Sequence, residues 1–137
     1  RAKNGDVGGF EYLMTQGAYY PMAEYGILQS ITAPGHATIL TGSYPYQAGI
    51  TGNDWYDVAK DRPQYCVDDD AYPIVGLSKP RTTHTGISPA NLIGTTVGDE
   101  LKNAGLPSRV VSLALKDRAA VLLGVHRADL AIWMDRD

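Results

Sequence analysis

The chain has 137 residues, of which 44% are hydrophobic and 20% are charged, and its formal net charge at pH 7 is −3. This composition is typical of a globular protein and excludes a disordered chain, and no apolar run approaches the roughly 18 residues that a membrane-spanning helix needs. The twelve Lys and Arg residues are scattered, so we expect no nucleic-acid partner and no membrane partner.

The first predicted elements precede a threonine at position 32. Residues 9–16 predict a short helix that ends at Gly17, and residues 18–30 predict an extended stretch interrupted by Pro21. Thr32 would then lie at a switch from strand to helix.

The segment that starts at Thr32 predicts a helix of about nine residues. Thr32 suits the N-cap, Pro34 suits the first turn, where no N–H is needed, and Gly42 suits a left-handed C′ position. An apolar stripe with helical spacing is formed by Ala33, Ala37 and Leu40, and His36 lies on its flank. The Thr32 hydroxyl would therefore lie at the positive end of a helix, where anions are favoured.

Asn53 follows Thr32 by twenty-one positions, after the turn-rich stretches 43–46 and 49–52. These turns allow the chain to double back and bring the Asn53 amide to the start of the helix, where its N–H groups could bind a phosphoryl oxygen. Two simpler interpretations stay open. Thr32 could be a purely structural cap, and Asn53 could serve only its own turn with Gly52 and Asp54.

Residues 57–87 are rich in Asp, Pro, Thr and Gly and predict a long surface excursion. The excursion contains the acidic run Asp68, Asp69 and Asp70, which could bind a cation, although a solvated loop explains the three carboxylates as well.

A further helix is predicted to start at Ser88, as N-cap, and Pro89, and to end before Gly105 at C′. Its apolar side would carry Leu92, Ile93, Val97 and Leu101. This helix is expected to be a packing element.

The last predicted elements are a strand, a short helix and another strand. Residues 109–115 are apolar enough for an interior strand, residues 117–123 predict a turn of helix, and residues 128–134 predict the second strand. Lys116 would follow the first strand at its carboxyl end, where open α/β sheets bind ligands.

Three separated motifs resemble the alkaline phosphatase superfamily: residues 32–42, residues 49–57 and residues 115–120. The most similar branch is that of the periplasmic zinc phosphomonoesterases with a threonine nucleophile, which are related to the nucleotide pyrophosphatase/phosphodiesterases. The resemblance runs from Gly8 to Trp133. It implies an α/β fold, an alkaline-phosphatase-like sandwich of helices around a mostly parallel sheet, with residues 1–137 forming only the N-terminal part of the catalytic domain.

The same resemblance implies a role for each of four residues. Thr32 would be the nucleophile, would form a phospho-threonine intermediate and, when ionised, would contact a zinc ion. Asn53 would bind a non-bridging phosphoryl oxygen, and Lys116 and Arg118 would bind the remaining ones. The Lys-x-Arg pair is what the resemblance ties to phosphate monoesters, and two cations suit a monoester dianion. Without the other motifs, Lys116 and Arg118 would be an ordinary solvated charge cluster.

Most of the expected two-zinc site is missing from the chain. Asp6 is too close to Gly8 to be the first aspartate ligand of the family, and His36, His84 and His126 show no ligand spacing, so we expect surface or packing roles for these histidines. The chain is therefore expected to be a fragment that needs the remaining segments of the same catalytic domain.

Location and redox state are less constrained. No apolar leader opens the chain, so a periplasmic or secreted location rests on the resemblance alone. Cys66 could be a free thiol or could pair with a cysteine outside this segment.

Three other functions stay open beside a zinc-dependent phosphate monoester hydrolase. One is a phosphodiesterase or phosphonate hydrolase of the same superfamily. Another is a non-enzymatic phosphate-binding module, and the third is a structural fragment without its own activity.

Overall fold

The computed structural model describes residues 8–75 and 84–134. Within these ranges the helices are α1 (Gly9–Gln16), α2 (Thr32–Thr41), α3 (Pro45–Ala48), α4 (Val97–Asn103) and α5 (Asp117–Gly124). The strands are β1 (Asp54–Asp57), β2 (Arg62–Tyr65), β3 (Asp68–Pro73), β4 (Gly86–Ile87), β5 (Val111–Ala114) and β6 (Leu130–Trp133). Strands β1 and β2 form an antiparallel pair, as do β3 and β4, whereas β5 and β6 are parallel.

Helix α2 has the predicted length and ends at Gly42, which adopts the left-handed conformation at φ 67°. The predicted N-cap was wrong by one residue, because Ile31 occupies the N-cap and Thr32 is the first helical residue. The carbonyl of Ile31 accepts a hydrogen bond from the N–H of Gly35 at 3.0 Å. Ala33 and Ala37 are buried as the apolar stripe predicts, whereas Leu40 is half-buried.

The segment before α2 differs from the prediction. Helix α1 forms with the predicted bounds, but none of its residues is buried. Residues 18–31 contain a turn at Pro21 and no strand, so Thr32 does not lie at a switch from strand to helix. The segment has no neighbouring strand to pair with in the described part of the chain. A hydrogen bond connects the segment to α2, because the Tyr25 hydroxyl donates to the Gly35 carbonyl at 3.2 Å.

The surface excursion predicted for residues 57–87 is wrong in its central part. Residues 64–67 are buried, and β2, β3 and β4 lie within the segment. The polar composition of the segment does not predict this burial. Gln64 is buried because its amide donates hydrogen bonds to the carbonyls of Tyr65 and Asp68. Residues 76–83 lie outside the described residues.

Helix α4 starts eight positions later than predicted, at Val97 instead of Pro89. Gly94 has a φ of 92°, a left-handed conformation that interrupts any helix begun at Pro89. The Thr96 side chain caps α4 in a capping box with Asp99, and Ser88 instead accepts the N–H of Ala90 in a local turn. Gly105, at φ 72°, follows the helix as predicted.

The segment from β5 through α5 to β6 forms the predicted strand, helix and strand. Val111 lies opposite Leu130 and Ala114 opposite Trp133 in the parallel ladder. Helix α5 packs against both strands and against α2. Lys116 therefore lies between the carboxyl end of β5 and the start of α5.

The hydrophobic core lies where α2, α5 and the β1–β2 and β3–β4 hairpins meet. It consists of Ala33, Ala37, Ala48, Ile50, Tyr65, Cys66, Val67, Ile87, Leu92, Val121, Leu122 and Val125. None of the helices in residues 8–75 and 84–134 has the length and hydropathy to cross a membrane.

Candidate active site

The start of α2 is joined to Asn53 by a side-chain hydrogen bond. The N–H of Ala33 donates to Asn53 Oδ1 at 2.9 Å, although the two residues are twenty positions apart. Since a backbone N–H can only donate, the oxygen end of the amide must face the helix, and its two N–H groups must face elsewhere. These N–H groups have no hydrogen bond to any described residue. The predicted return of Asn53 to the start of the helix is confirmed.

Thr32 directly precedes Ala33 in the chain. Thr32 is half-buried, and its hydroxyl makes no recorded hydrogen bond within residues 8–75 and 84–134. Its carbonyl oxygen lies 2.6 Å from His36 Nδ1, which must carry the proton because a carbonyl only accepts. His36 is thereby held against its own helix.

Asn53 is also tied to the strand opposite. The carbonyl of Asn53 accepts a hydrogen bond from the N–H of Cys66 at 2.9 Å. Cys66 is fully buried as a free thiol, and burial raises the pKa of this thiol to about 12. The thiol is therefore protonated at neutral pH and is a packing group rather than a nucleophile.

Tyr65 connects the β1–β2 hairpin to the start of α5. Its hydroxyl donates to Asp117 Oδ1 at 2.7 Å and accepts a hydrogen bond from Arg118 Nη1 at 3.0 Å. The guanidinium carbon of Arg118 also lies 5.8 Å from the centre of the Tyr65 ring, within the range of a cation–π contact. Arg118 is thereby held against the hairpin that carries Asn53.

Arg118 retains unused hydrogen-bonding capacity. Its Nε atom is buried and has no hydrogen-bond partner in the described part of the chain. Although burial opposes the charge, the hydrogen bond to Tyr65 and the nearby Asp117 carboxylate raise the pKa of Arg118 above its usual value. The guanidinium is a permanent cation with donors to spare.

Lys116 stands apart from the other three predicted site residues. It is the N-cap of α5, and its carbonyl accepts the N–H of Ala120 at 3.0 Å. The Lys116 side chain is exposed and has no recorded partner among residues 8–75 and 84–134. The structure thus brings Asn53 to Thr32 and ties Arg118 to the same hairpin, but it records no direct bond from Lys116 or Arg118 to Thr32.

The described residues do not form a complete metal site. No group of three or more His, Cys, Asp or Glu side chains converges within residues 8–75 and 84–134. His84 stacks on Tyr65 with ring centroids 4.3 Å apart and lies 3.1 Å from Asp68, while His126 is exposed. Asp6 lies outside the described residues.

The acidic run is engaged within its own hairpin. Asp68 pairs with His84, Asp69 accepts a hydrogen bond from Ser88, and Asp70 accepts one from Thr85. The three carboxylates therefore lie in strand β3 and serve its pairing with the strand opposite, rather than forming the solvated loop or the cation site considered above.

Thr32 is the residue of this chain for which the family resemblance implies a contact with zinc. Its unpartnered hydroxyl at a helix start fits a single ligand position, because the helix N-terminus favours an alkoxide. Zinc takes about four ligands, and residues 8–75 and 84–134 hold no group of three or more His, Cys, Asp or Glu side chains that could complete such a site.

A family profile identifies the chain. The profile described as "Type I phosphodiesterase / nucleotide pyrophosphatase" matches residues 2–133. The chain belongs to this family. The resemblance to the alkaline phosphatase superfamily is therefore confirmed.

Two curated relatives of this family member are named alkaline phosphatases. PhoV of Synechococcus elongatus is 42% identical over 130 residues, and PafA of Elizabethkingia meningoseptica is 39% identical over 132 residues. Each match covers 93% of this chain but only 23% of the relative. The chain thus spans about a quarter of the length of the relatives it matches.

A solved structure confirms the fold class. The crystal structure of wild-type PafA matches with a TM-score of 0.69 and 40% identity, over 80% of this chain and 21% of that one. A PafA variant also matches, with a TM-score of 0.70; in it a threonine is replaced by serine, and an asparagine, a lysine and an arginine are replaced by alanine. The chain is therefore part of an alkaline-phosphatase-like α/β domain.

Sequence reasoning missed Tyr65 and Asp117 as neighbours of the site. Tyr65 lies in the segment predicted as a surface excursion, so its burial was not expected. Asp117 stands between Lys116 and Arg118, but its spacing gives no sign that it receives a tyrosine hydroxyl from 52 positions away.

Proposed function

We propose that the full-length protein is a zinc-dependent phosphate monoester hydrolase that acts through a phospho-threonine intermediate at Thr32. The hydrogen bond between Asn53 Oδ1 and the Ala33 N–H carries the proposal, because it shows that the Asn53 side chain reaches the start of α2, where Thr32 is the first residue. A phosphoryl group on Thr32 would meet the N–H groups of this amide and the positive end of the helix.

Each residue has a defined task in this proposal. The Thr32 oxygen attacks phosphorus and loses its proton, the bond from phosphorus to the ester oxygen breaks, and that oxygen leaves with the electron pair and takes up a proton to become the product alcohol. Asn53 donates to one non-bridging oxygen, and Lys116 and Arg118 neutralise the others. Water then displaces phosphate from Thr32 and restores the hydroxyl.

One of the two implied zinc ions would contact Thr32 in this chain, with most of the other ligands expected outside the chain. When bound, zinc supplies Lewis-acid stabilisation of the charges on the attacking and leaving oxygens. Small-molecule phosphate monoesters are the proposed substrates, and a periplasmic or secreted location is proposed from the family resemblance.

The PafA variant supports the choice of residues. Its altered threonine and asparagine are twenty-one positions apart and its altered lysine and arginine two apart. Thr32 and Asn53, and Lys116 and Arg118, repeat these residue types, this order and both spacings. The segment between asparagine and lysine is one residue longer in this chain.

The decisive experiment measures the phosphoenzyme in the full-length, zinc-loaded protein. Thr32→Ala is expected to abolish the burst of phosphoenzyme in rapid quench and to lower kcat at least about a thousand-fold, because the nucleophile is removed. Thr38→Ala is the matched control in the same helix, since the buried Thr38 hydroxyl has no hydrogen-bond partner among the described residues and Thr38 is not a proposed site residue. An undiminished burst in Thr32→Ala would remove Thr32 from the role.

A second function is favoured by the family description itself, which names phosphodiesterases and nucleotide pyrophosphatases. A phosphonate hydrolase of the same superfamily would be a related case. Assays of the full-length protein on a phosphate monoester, a diester and a phosphonate distinguish these functions. A kcat/KM higher for the diester or the phosphonate than for the monoester would replace the phosphatase proposal.

A further inference from the structure

We infer that Tyr65 is a positioning residue, which holds the Arg118 guanidinium in place to bind the transferred phosphoryl group. This inference rests on the proposed function, because it assumes that Arg118 contacts substrate. It assigns a role to a tyrosine on the β1–β2 hairpin, a different element from the helix that carries Arg118.

The Tyr65 hydroxyl makes two hydrogen bonds of fixed direction. It has one proton, which it donates to Asp117, so its oxygen is left to accept from Arg118. Asp117 also accepts the backbone N–H of Arg118 at 2.7 Å. The carboxylate thus fixes the hydroxyl rotor of Tyr65, and the hydroxyl in turn fixes one N–H of the guanidinium.

The Tyr65 ring is itself held firmly. It is 8% exposed in the core, and His84 stacks on it with an interplanar angle of 17°. Burial, with the hydrogen bond to Asp117, raises the pKa of Tyr65. The phenol therefore keeps its proton and its hydrogen-bond pattern at neutral and alkaline pH.

The hairpin links this contact to the start of α2. Asp54 lies opposite Tyr65 in the β1–β2 ladder, and the preceding residue, Asn53, binds the N–H of Cys66 through its carbonyl. The Asn53 side chain then receives the Ala33 N–H. A continuous path of hydrogen bonds and two strands therefore sets Arg118 relative to the residues beside Thr32.

The competing interpretation is that Tyr65 is only a core residue. A core residue needs the ring, which phenylalanine supplies, whereas a positioning residue needs the hydroxyl. Tyr65→Phe separates the two roles because it removes the oxygen and leaves the ring.

The test compares variants of the full-length, zinc-loaded protein on a phosphate monoester and a diester. Tyr65→Phe is expected to lower kcat/KM for the monoester about ten-fold, the cost of one hydrogen bond to a charged group, and to lower diester hydrolysis less. Tyr56→Phe is the matched control, since it removes a tyrosine hydroxyl that donates to Asp61 from the same hairpin. It is expected to leave both rates unchanged.

A double-mutant cycle supplies the readout that a structural role would not change. In the Arg118→Ala background, Tyr65→Phe should have no further effect on the monoester, whereas in the Lys116→Ala background its ten-fold loss should persist. Thermal melts of every variant accompany the kinetics, and Tyr65→Phe should melt close to the unaltered protein.

Two failures are distinguishable. The positioning role is overturned, and the proposed function stands, if Arg118→Ala lowers monoester hydrolysis but Tyr65→Phe does not. The same conclusion follows if Tyr65→Phe lowers kcat/KM equally for the monoester and the diester in both the Arg118→Ala and the Lys116→Ala backgrounds. If Arg118→Ala itself has no effect on the monoester, the assignment of Arg118 in the proposed function fails and the role of Tyr65 fails with it.

Discussion

The side-chain amide of Asn53 has two chemically different ends, and only one of them is used inside the described structure. The oxygen accepts the N–H of Ala33 and so supplies the side-chain cap that Ile31 cannot provide for α2. The nitrogen remains free to donate. A single amide can therefore both stabilise the start of the helix and bind a phosphoryl oxygen.

Asn53→Asp separates these two tasks. The carboxylate keeps an acceptor for the Ala33 N–H and adds a negative charge at a helix N-terminus, so the melting temperature of the full-length protein should not fall. The variant loses both N–H donors, so kcat/KM for a phosphate monoester should fall by about a hundred-fold or more.

Asn91→Asp is the matched control for this substitution. Asn91 Nδ2 donates to the carbonyl of Cys66 at 3.1 Å, so its loss should lower the melting temperature and leave kcat/KM unchanged. If Asn53→Asp retains full activity, Asn53 serves only its turn and its helix.

At the level of the elements, a left-handed glycine follows each of the consecutive helices α2 and α3. Gly42 follows α2 and Gly49 follows α3, with φ values of 67° and 74°. They differ in their surroundings. A Cβ on Gly42 would meet nothing within 4 Å, whereas a Cβ on Gly49 would lie 2.8 Å from the Asn91 carbonyl oxygen.

Alanine at these two positions should therefore have unequal costs. Gly42→Ala is expected to lower the free energy of unfolding by about 1 kcal/mol, from the left-handed backbone alone. Gly49→Ala adds the clash with Asn91 and Ile93, and we expect a loss of about 3 kcal/mol. Chemical unfolding of the full-length variants measures both, with Gly8→Ala as a control at an open position of ordinary φ. Equal losses at the two glycines would contradict the described packing around Gly49.

The helices and strands show which elements a local sequence pattern predicts correctly. Helices α1, α2 and α5 and strands β5 and β6 follow the prediction, because their periodicity and their ends depend on neighbouring residues. Helix α4 does not, because Gly94 and the Thr96–Asp99 capping box override an equally good start at Ser88. When two nearby residues are equally good N-caps, the local sequence does not show which of the two possible helices packs against the rest of the protein.

The whole molecule presents much apolar surface. Leu28 is fully exposed, Phe10 is 89% exposed, and Leu113 in β5 is 74% exposed. An apolar groove lined by Ile74, Val125 and Trp133, among others, is open to solvent. Since the chain spans 23% of PhoV, we expect the rest of the catalytic domain to cover these surfaces.

The 137-residue chain on its own should therefore fail to melt cooperatively. Its exposed apolar side chains should bind a hydrophobic dye, whereas the full-length protein should unfold in one sharp transition without dye binding. Calorimetry and dye fluorescence of the two proteins make the comparison. A sharp calorimetric transition of the short chain, without dye binding, would show that it is an independent folding unit.

The sequence by itself predicted the helix after position 32 and the strands around α5, because residue types and short spacings carry that information, and its resemblance to the family implied the α/β class and the four residues of the proposed site. Only the tertiary structure decided that Asn53 caps α2 and that Arg118 meets a tyrosine 53 positions earlier in the chain. Those contacts depend on how the hairpin packs between α2 and α5. Packing of this kind follows from burial and the pairing of polar groups over the whole core, which no local pattern encodes.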